Sequence, residues 1–296
     1  MDYELQLFDR IEVIKTIINK HGEENFYLSF SGGKDSTVLH NLLDEAIPGN
    51  QIPRVYIDTG IEYESVRKFV KELQLFDNRI TIIKPSVPIK AMLERDGYPF
   101  KSKEHSLKVG LYQSGSRCKS VLAYKDGTHG KLFRCPKSLL FQFDDGYPLK
   151  LSDKCCLRLK KEPVRKWQKE SDRTIAITAM RKDEKGQRAH IGCIMADKGG
   201  NLKKFHPLAV ISEEWEEWYI KERDIKLCEL YYPPFNFKRT GCKGCPFALD
   251  LQDQLTKMLI YLPNERKQCE LIWGKVYAEY RRLGYRLDKY EQLKLF

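Results

Sequence analysis

Residues 26–40 constrain this chain more than any other stretch. The apolar run before Ser31 suits a short buried strand, and Val38, Leu39, Leu42 and Leu43 then recur at helical spacing. Between them stand Gly32 and Gly33, which let the backbone approach a ligand because no Cβ is in the way. The free N–H groups and dipole of the new helix favour an anion at that point. Lys34 adds a cation, and Ser31 and Ser36 add hydroxyls. The stretch reads as a phosphate cradle. It is not the Gly-x-x-x-x-Gly-Lys-Ser/Thr loop of the common nucleotide-binding type, because the turn is tighter and Asp35 follows the lysine.

The elements around the cradle fit an α/β chain. Apolar positions from Leu5 to Ile18 form one face of a leading helix. A second strand, 53–57, ends in Asp58-Thr59-Gly60, and a helix follows with Val66, Phe69, Val70 and Leu73 on one face. A third strand covers 79–83, and a β-branched run over 173–178 predicts another. This βαβαβ order predicts a doubly wound parallel sheet, whose ligands sit at the carboxyl ends of the strands. Ser31 and Asp58 both lie at such ends. The expected organisation is a nucleotide-binding domain over 1–240, with a basic insertion at 86–150, then a cysteine turn and helical segment over 241–296.

The 296 residues allow a large core, and 52 basic against 41 acidic side chains give a net charge of +11, which suits polyanionic partners. No apolar run is long enough to cross a membrane, and the N-terminal residues lack a basic-then-apolar leader. The expected location is cytoplasmic, with no membrane partner.

Nine cysteines in a reducing compartment read as metal ligands or reactive thiols rather than disulfides. Cys242-x-x-Cys245 in a glycine turn can hold one metal through both sulfurs, and Cys155-Cys156 adds two thiols. Neighbouring side chains point apart, so adjacent cysteines suit two irons of a larger cluster better than one small ion. This favours a [4Fe–4S] cluster, with zinc as the competing metal and thiol–disulfide chemistry as a further use of such a pair. The cations nearby in sequence, Lys154, Arg158, Lys160, Lys161, Arg239 and Lys243, would offset a cluster's negative charge. Cys118 and Cys135 lack a close partner and read as structural or free thiols.

Ser31-Gly32-Gly33-Lys34-Asp35-Ser36 resembles the PP-loop of ATP pyrophosphatases, which split ATP between the α and β phosphates. From about Phe26 to Phe247 the chain resembles the phosphoadenosine phosphosulfate reductase family of PP-loop proteins. The resemblance is carried by that loop, by Asp58-Thr59-Gly60 with Glu62, and by Cys155-Cys156 with Lys161 and Pro163. It continues through Met180-Arg181 with Arg188, through Pro207-Leu208 before Trp215, Trp218 and Tyr219, and through Arg239-Thr240-Gly241-Cys242 with Cys245-Pro246. It implies an adenine nucleotide α-hydrolase-like, Rossmann-like fold. It implies that Ser29, Ser31, Gly32, Gly33, Lys34, Asp35, Ser36, Asp58, Thr59, Gly60, Arg181 and Arg188 bind the nucleotide, with Lys34, Asp35 and Asp58 in catalytic roles. It implies that Cys155, Cys156, Cys242 and Cys245 hold a [4Fe–4S] cluster.

Two departures shape the functional expectation. Adenylyl sulfate reductases of this family use a cysteine in a C-terminal Glu-Cys-Gly-x-His motif, whereas residues 290–296 here carry none, and Cys269 sits inside an expected helix. The PP-loop is intact, which implies ATP, with Asp35 or Asp58 placing Mg²⁺. The parallel is then with ATP-using relatives that move sulfur onto nucleic acid, such as the DNA phosphorothioation sulfurtransferase. The expected activity adenylates an acceptor for iron–sulfur-dependent sulfur transfer. Its partners would be an adenine nucleotide, nucleic acid, and a cysteine desulfurase. The alternatives are a thioredoxin-dependent reductase of adenylyl sulfate or its 3′-phosphate, and a non-catalytic nucleotide- or nucleic-acid-binding subunit.

Overall fold

A computed structural model of the chain describes residues 2–128, 130, 133–184 and 190–289. Two compact units emerge. One comprises Met1–Asp58, Glu62–Lys84 and Pro163–Gly241, and the other Thr59–Ile61, Pro85–Glu162 and Cys242–Phe296.

The first unit is built on a six-stranded sheet. Its strands are β1 (Phe26–Phe30), β2 (Arg54–Ile57), β3 (Ile80–Ile83), β4 (Ile175–Ile177), β5 (Ile194–Ala196) and β6 (Leu202–Phe205). Their order is β3-β2-β1-β4-β6-β5, and every neighbouring pair is parallel except β5 with β6. The strand order therefore switches sides at β1, with β2 and β3 on one side and β4 on the other. That is where open α/β sheets place their ligands.

Helices cover both faces, as alternation along β1 requires. Phe26 and Phe30 point to one face, where they meet His21 of α1 (Tyr3–His21) and His40 of α2 (Lys34–Ala46). Tyr27 points to the other, packing with Val55 and Ala176 against Val164 and Trp167 of α7 (Glu162–Ser171). The expected doubly wound sheet is present, with one antiparallel strand added at its edge. Among the described residues, α3 (Glu64–Phe76) and α8 (Glu213–Glu222) complete this unit's α-helices.

The second unit is helical: α4 (Ile89–Asp96), α5 (Lys103–Gln113), α6 (Lys119–Asp126), α9 (Leu251–Tyr261) and α10 (Pro263–Leu283). Its interior is aromatic and hydrogen-bonded. Phe100 packs on Tyr280 at 4.5 Å between ring centres, and the buried His105 ring lies 3.0 Å from the Tyr124 hydroxyl and 2.7 Å from Gln142 Oε1. Among the described residues no helix is long and apolar enough to cross a membrane.

Candidate functional site

The strand–turn–helix predicted over 26–40 forms. β1 ends at Phe30, and α2 begins at Lys34 with Gly33 as its extended N-cap. Gly32 has φ +68°, and a Cβ there would lie 2.7 Å from Val70 and 3.0 Å from Val66 of α3. No other residue fits that backbone so close to the helix. The strand register aligns Phe30 with Tyr56, so Ser31 and Asp58 leave the sheet at the same edge.

Side-chain oxygens sit where the turn's N–H groups point. Gly33 N–H donates to Ser31 Oγ at 3.3 Å, and Lys34 N–H donates to the Tyr231 hydroxyl at 2.9 Å. Ser36 Oγ accepts from Ser31 N–H at 3.2 Å and donates to the Gly33 carbonyl at 2.9 Å. The Tyr231 and Thr240 hydroxyls are 2.7 Å apart, and both crowd the open side of Gly33. Ser29 lies one pleat back, within β1.

Around this turn the charges interlock. Lys34 Nζ donates to Glu213 Oε1 at 3.1 Å and lies 3.5 Å from Glu216 Oε2. Arg181 Nη1 lies 3.2 Å from Glu216 Oε2, and its Nε lies 3.3 Å from Asp35 and 3.5 Å from Asp183. Burial works against both cations, but the carboxylates outweigh it, so the pKa of Lys34 and that of Arg181 are raised. Both stay charged. Glu216 is fully buried, and burial followed by the Asp35 charge pushes its pKa above the usual glutamate range, against the pull of Arg181 and Lys34. Lys34, Asp35, Arg181, Asp183, Glu213, Lys238 and Arg239 line a cavity of about 160 Å³.

α8 explains why Glu213 and Glu216 converge. Ser212 caps it by accepting from Trp215 N–H at 3.2 Å, which fixes the first turn and puts the two glutamates three residues apart on one face. Trp215 stacks on Tyr219 at 5.1 Å and donates from its indole N–H to the Tyr3 carbonyl at 3.0 Å. The helix cannot rotate Glu216 out without exposing this aromatic anchor. Glu213, Glu216 and Tyr231 are absent from the residues expected at the site. Thr240 and Arg239 were legible only as part of the motif leading to Cys242.

The remaining predicted residues divide. Arg181 joins Asp35 directly. Asp58 is buried and accepts from Arg67 of α3 at 3.2 Å. Arg188 lies outside the described residues. Thr59 and Gly60 belong to the second unit, where Thr59 is buried. Arg239 lines the cavity with Lys34.

All four predicted thiolate ligands lie in the second unit. Cys155 and Cys156 open a helical turn that widens to π geometry over Leu157–Lys161. Burial raises the pKa of Cys155; Cys242, Cys156 and Cys245 each raise it further, and Lys160 lowers it. Cys245 is pushed up to about 12 by burial, then by Cys242. The four thiols thus share one neighbourhood. Yet among the described residues no three cysteine sulfurs lie within 4.8 Å of one another. A zinc tetrahedron with bonds of about 2.3 Å holds its sulfurs about 3.8 Å apart. A cubane spaces its thiolates more widely, because each binds a different iron. Four thiols are the donor set that the larger group takes.

α10 holds the Cys-x-x-Cys turn. Cys245 N–H donates to the Cys242 carbonyl at 3.2 Å, and Gly244 has φ +59°. The Tyr277 hydroxyl donates to the Gly244 carbonyl, and a Cβ on Gly244 would meet that hydroxyl and Cys269. Tyr280 donates to the Pro246 carbonyl at 2.8 Å, and Trp273 to the Lys243 carbonyl at 3.2 Å. Lys243, almost fully buried, is paired with Glu265 at 3.1 Å, and Arg158 with Asp96 at 3.1 Å. These cations are spoken for by carboxylates. Elsewhere in this unit Cys135 and Cys269 are buried, whereas Cys118 is exposed and its pKa is lowered to about 7, first by a hydrogen bond from Ser120.

A family model described as the phosphoadenosine phosphosulfate reductase domain matches residues 25–125 and 131–248. An adenosine 5′-phosphosulfate reductase of Deinococcus radiodurans is 30% identical over 97 residues, 33% of this chain and 36% of that protein. The chain's matches thus span 36% and 26% of the length of two curated relatives. Among solved structures, the phosphoadenylyl-sulfate reductase of Candida auris superposes with a TM-score of 0.43 at 19% identity, covering 74% of this chain and 81% of that one. The U34-tRNA thiolase NcsA of Methanococcus maripaludis, solved with its [4Fe–4S] cluster, gives 0.41 at 15% identity, covering 96% and 80%.

Proposed function

The chain belongs to the phosphoadenosine phosphosulfate reductase domain family, and from that premise we propose that it is an ATP pyrophosphatase that adenylates an acceptor for sulfur transfer. The observation that carries this reading is the convergence of Lys34 and Arg181 at the first turn of α2, beside the Gly32–Gly33 turn.

In this reading the pyrophosphate portion of ATP replaces the hydroxyls now bonded to the Gly33 and Lys34 N–H groups. Lys34 and Arg181 exchange carboxylate for phosphate oxygen, which costs little because both are already held in place. Asp35, at the start of α2, takes up the Mg²⁺ that accompanies the nucleotide. An acceptor oxygen attacks the α phosphorus, the bond to the β-phosphate oxygen breaks, and pyrophosphate leaves with the electron pair. A sulfur nucleophile then replaces the adenylated oxygen and AMP departs. Cys155, Cys156, Cys242 and Cys245 would hold a [4Fe–4S] cluster, which supplies redox chemistry or an exchangeable sulfide when bound. Candidate acceptors are nucleic acid and small sulfur-accepting molecules. The test is anaerobic incubation with ATP, Mg²⁺ and each acceptor. Acceptor-dependent release of pyrophosphate supports the reading, and its absence with all of them contradicts it.

The exposed, acidified Cys118 favours a second reading, a reductase of adenylyl sulfate. There a thiolate attacks the sulfate sulfur, AMP leaves, and thioredoxin reduces the thiosulfonate to release sulfite. Sulfite release that disappears in Cys118→Ser would establish this reading over the first.

A further inference from the structure

We propose that the cleft between the end of α5 and residues 143–150 is a binding site for single-stranded nucleic acid: one base enters the cleft, and the neighbouring phosphates meet Arg117, Lys125 and Lys150. As a binding site it stands on the helical unit alone. As the place where the acceptor docks, it rests on the adenylation reading.

Residues 101–138 hold nine basic and two acidic side chains, so this stretch supplies +7 of the chain's net +11. On other helices surface lysines find a carboxylate one turn away, as Lys15 does with Glu12, Lys68 with Glu72 and Lys166 with Glu170. Here they do not. Among the described residues Arg117, Lys119, Lys125, Arg134, Lys137 and Lys150 have no carboxylate partner. Lys119, Arg134 and Lys137 are exposed and extend the positive field beyond the cleft, which suits a polymer of phosphates better than a single anion.

Neutral groups hold the cations at the cleft, so their positions are fixed while their charge is not cancelled. The Arg117 guanidinium carbon lies 3.5 Å from the Tyr112 ring centre, and its Nη1 donates to the Tyr112 and Ser116 carbonyls at 2.7 and 3.1 Å. Lys125 Nζ donates to the Tyr112 hydroxyl at 3.2 Å, and Lys150 Nζ to the Arg95 carbonyl at 2.6 Å. Tyr112 in turn stands edge-on to the buried Phe143 at 5.1 Å. Gln113 ties the two walls together, donating to the Leu149 carbonyl at 3.0 Å and accepting from the Leu151 N–H at 2.9 Å. The cleft so formed measures about 640 Å³, and Tyr112, Arg117, Phe143 and Lys150 line it with Asp144 and Asp145. The two carboxylates disfavour a bare polyphosphate and suit a ligand with amino-bearing heterocycles between its phosphates. An arginine plane backed by an aromatic ring is a platform for an unstacked base. A duplex keeps its base faces stacked, so the ligand is a single strand.

The experiment is fluorescence anisotropy of a labelled, mixed-sequence strand of about 12 nucleotides, titrated with the full-length protein without ATP over a series of salt concentrations. DNA and RNA strands are separate arms, and the tighter one identifies the polymer. Arg117→Gln/Lys125→Gln should bind about tenfold more weakly, and its plot of log affinity against log salt should flatten by about 1.4 in slope. Lys15→Gln/Lys68→Gln, which removes two carboxylate-paired cations of the sheet unit, should change neither. A folding defect alone would lower the active fraction and leave the slope as it was. An abasic strand of the same length should bind wild type at least about fivefold more weakly, the lower end of what one stacked base contributes. A blunt duplex should also bind more weakly. An unchanged slope in Arg117→Gln/Lys125→Gln, or an abasic strand or duplex that binds as tightly as the intact strand, would overturn the inference. Binding that meets these expectations without strand-dependent release of pyrophosphate from ATP would uphold the site and count against adenylation of a nucleic acid.

Discussion

The backbone N–H of Lys34 donates to the hydroxyl of Tyr231, 197 residues away in sequence, at 2.9 Å. That N–H opens α2 and is the group a bound phosphate would take. In Tyr231→Phe it loses its partner, so ligand-free protein should be less stable by about 1 kcal/mol. Saturating ATP should erase most of the difference, because a phosphate oxygen replaces the hydroxyl. Thermal melts with and without ATP measure both quantities. An equal deficit in both states would place Tyr231 outside the phosphate site.

Gly32 packs its backbone against Val66 and Val70 in a left-handed conformation. Gly32→Ala adds strain and a steric clash, and should cost at least about 2 kcal/mol of stability. ATP affinity should fall with it, because the turn must shift away from α3. Gly146→Ala, at a position with open space around it, serves as the control and should change neither.

His105 is fully buried, and its pKa is lowered to about 4, chiefly by burial. The unfolded chain binds a proton near the ordinary imidazole value and the folded one does not. The stability His105 contributes is thus complete above about pH 6.5 and is lost as pH falls toward 4. That loss should be about 2 kcal/mol. Denaturant unfolding at pH 7 and pH 4.5 should show a smaller drop for His105→Gln than for wild type. Equal drops would show that the ring is not the titrating group.

Cys155→Ser and Cys245→Ser should each remove a cluster ligand. Anaerobically purified wild type should carry iron and sulfide with a broad visible absorption, and each variant should lose most of it. Cys228→Ser, a buried thiol of the first unit, should keep it. Colourless protein carrying one zinc would replace the cluster with a four-sulfur zinc site.

The cradle was legible because every part of it is local. A strand, two glycines and a helix start within fifteen residues carry their own periodicity and turn chemistry. β5 and β6 were not legible. β5 is three exposed residues joined to its partner by a turn in which Asp197 accepts from the Gly199 and Asn201 N–H groups, and it alternates with nothing. The glutamates of α8 were equally silent. A run of acidic residues on a helix reads as a solvated face, and only the Trp215 and Tyr219 anchor turns Glu216 inward. Arg239 was legible only through the motif that leads to Cys242, and its place in the lining of the Lys34 cavity depends on the fold. The four cysteines proposed as ligands stand out by residue type and spacing, whereas the clamp of Trp273, Tyr277 and Tyr280 on the Cys242–Cys245 turn depends on contacts some thirty residues apart.

The measurement that bears most directly on the account is the identity of the phosphate bond broken. Phosphorus NMR of ATP turned over by anaerobic protein with Mg²⁺ and acceptor distinguishes the products. The account predicts AMP and pyrophosphate in equal amounts, lost in Lys34→Met. ADP with inorganic phosphate, or turnover that survives Lys34→Met, would contradict it.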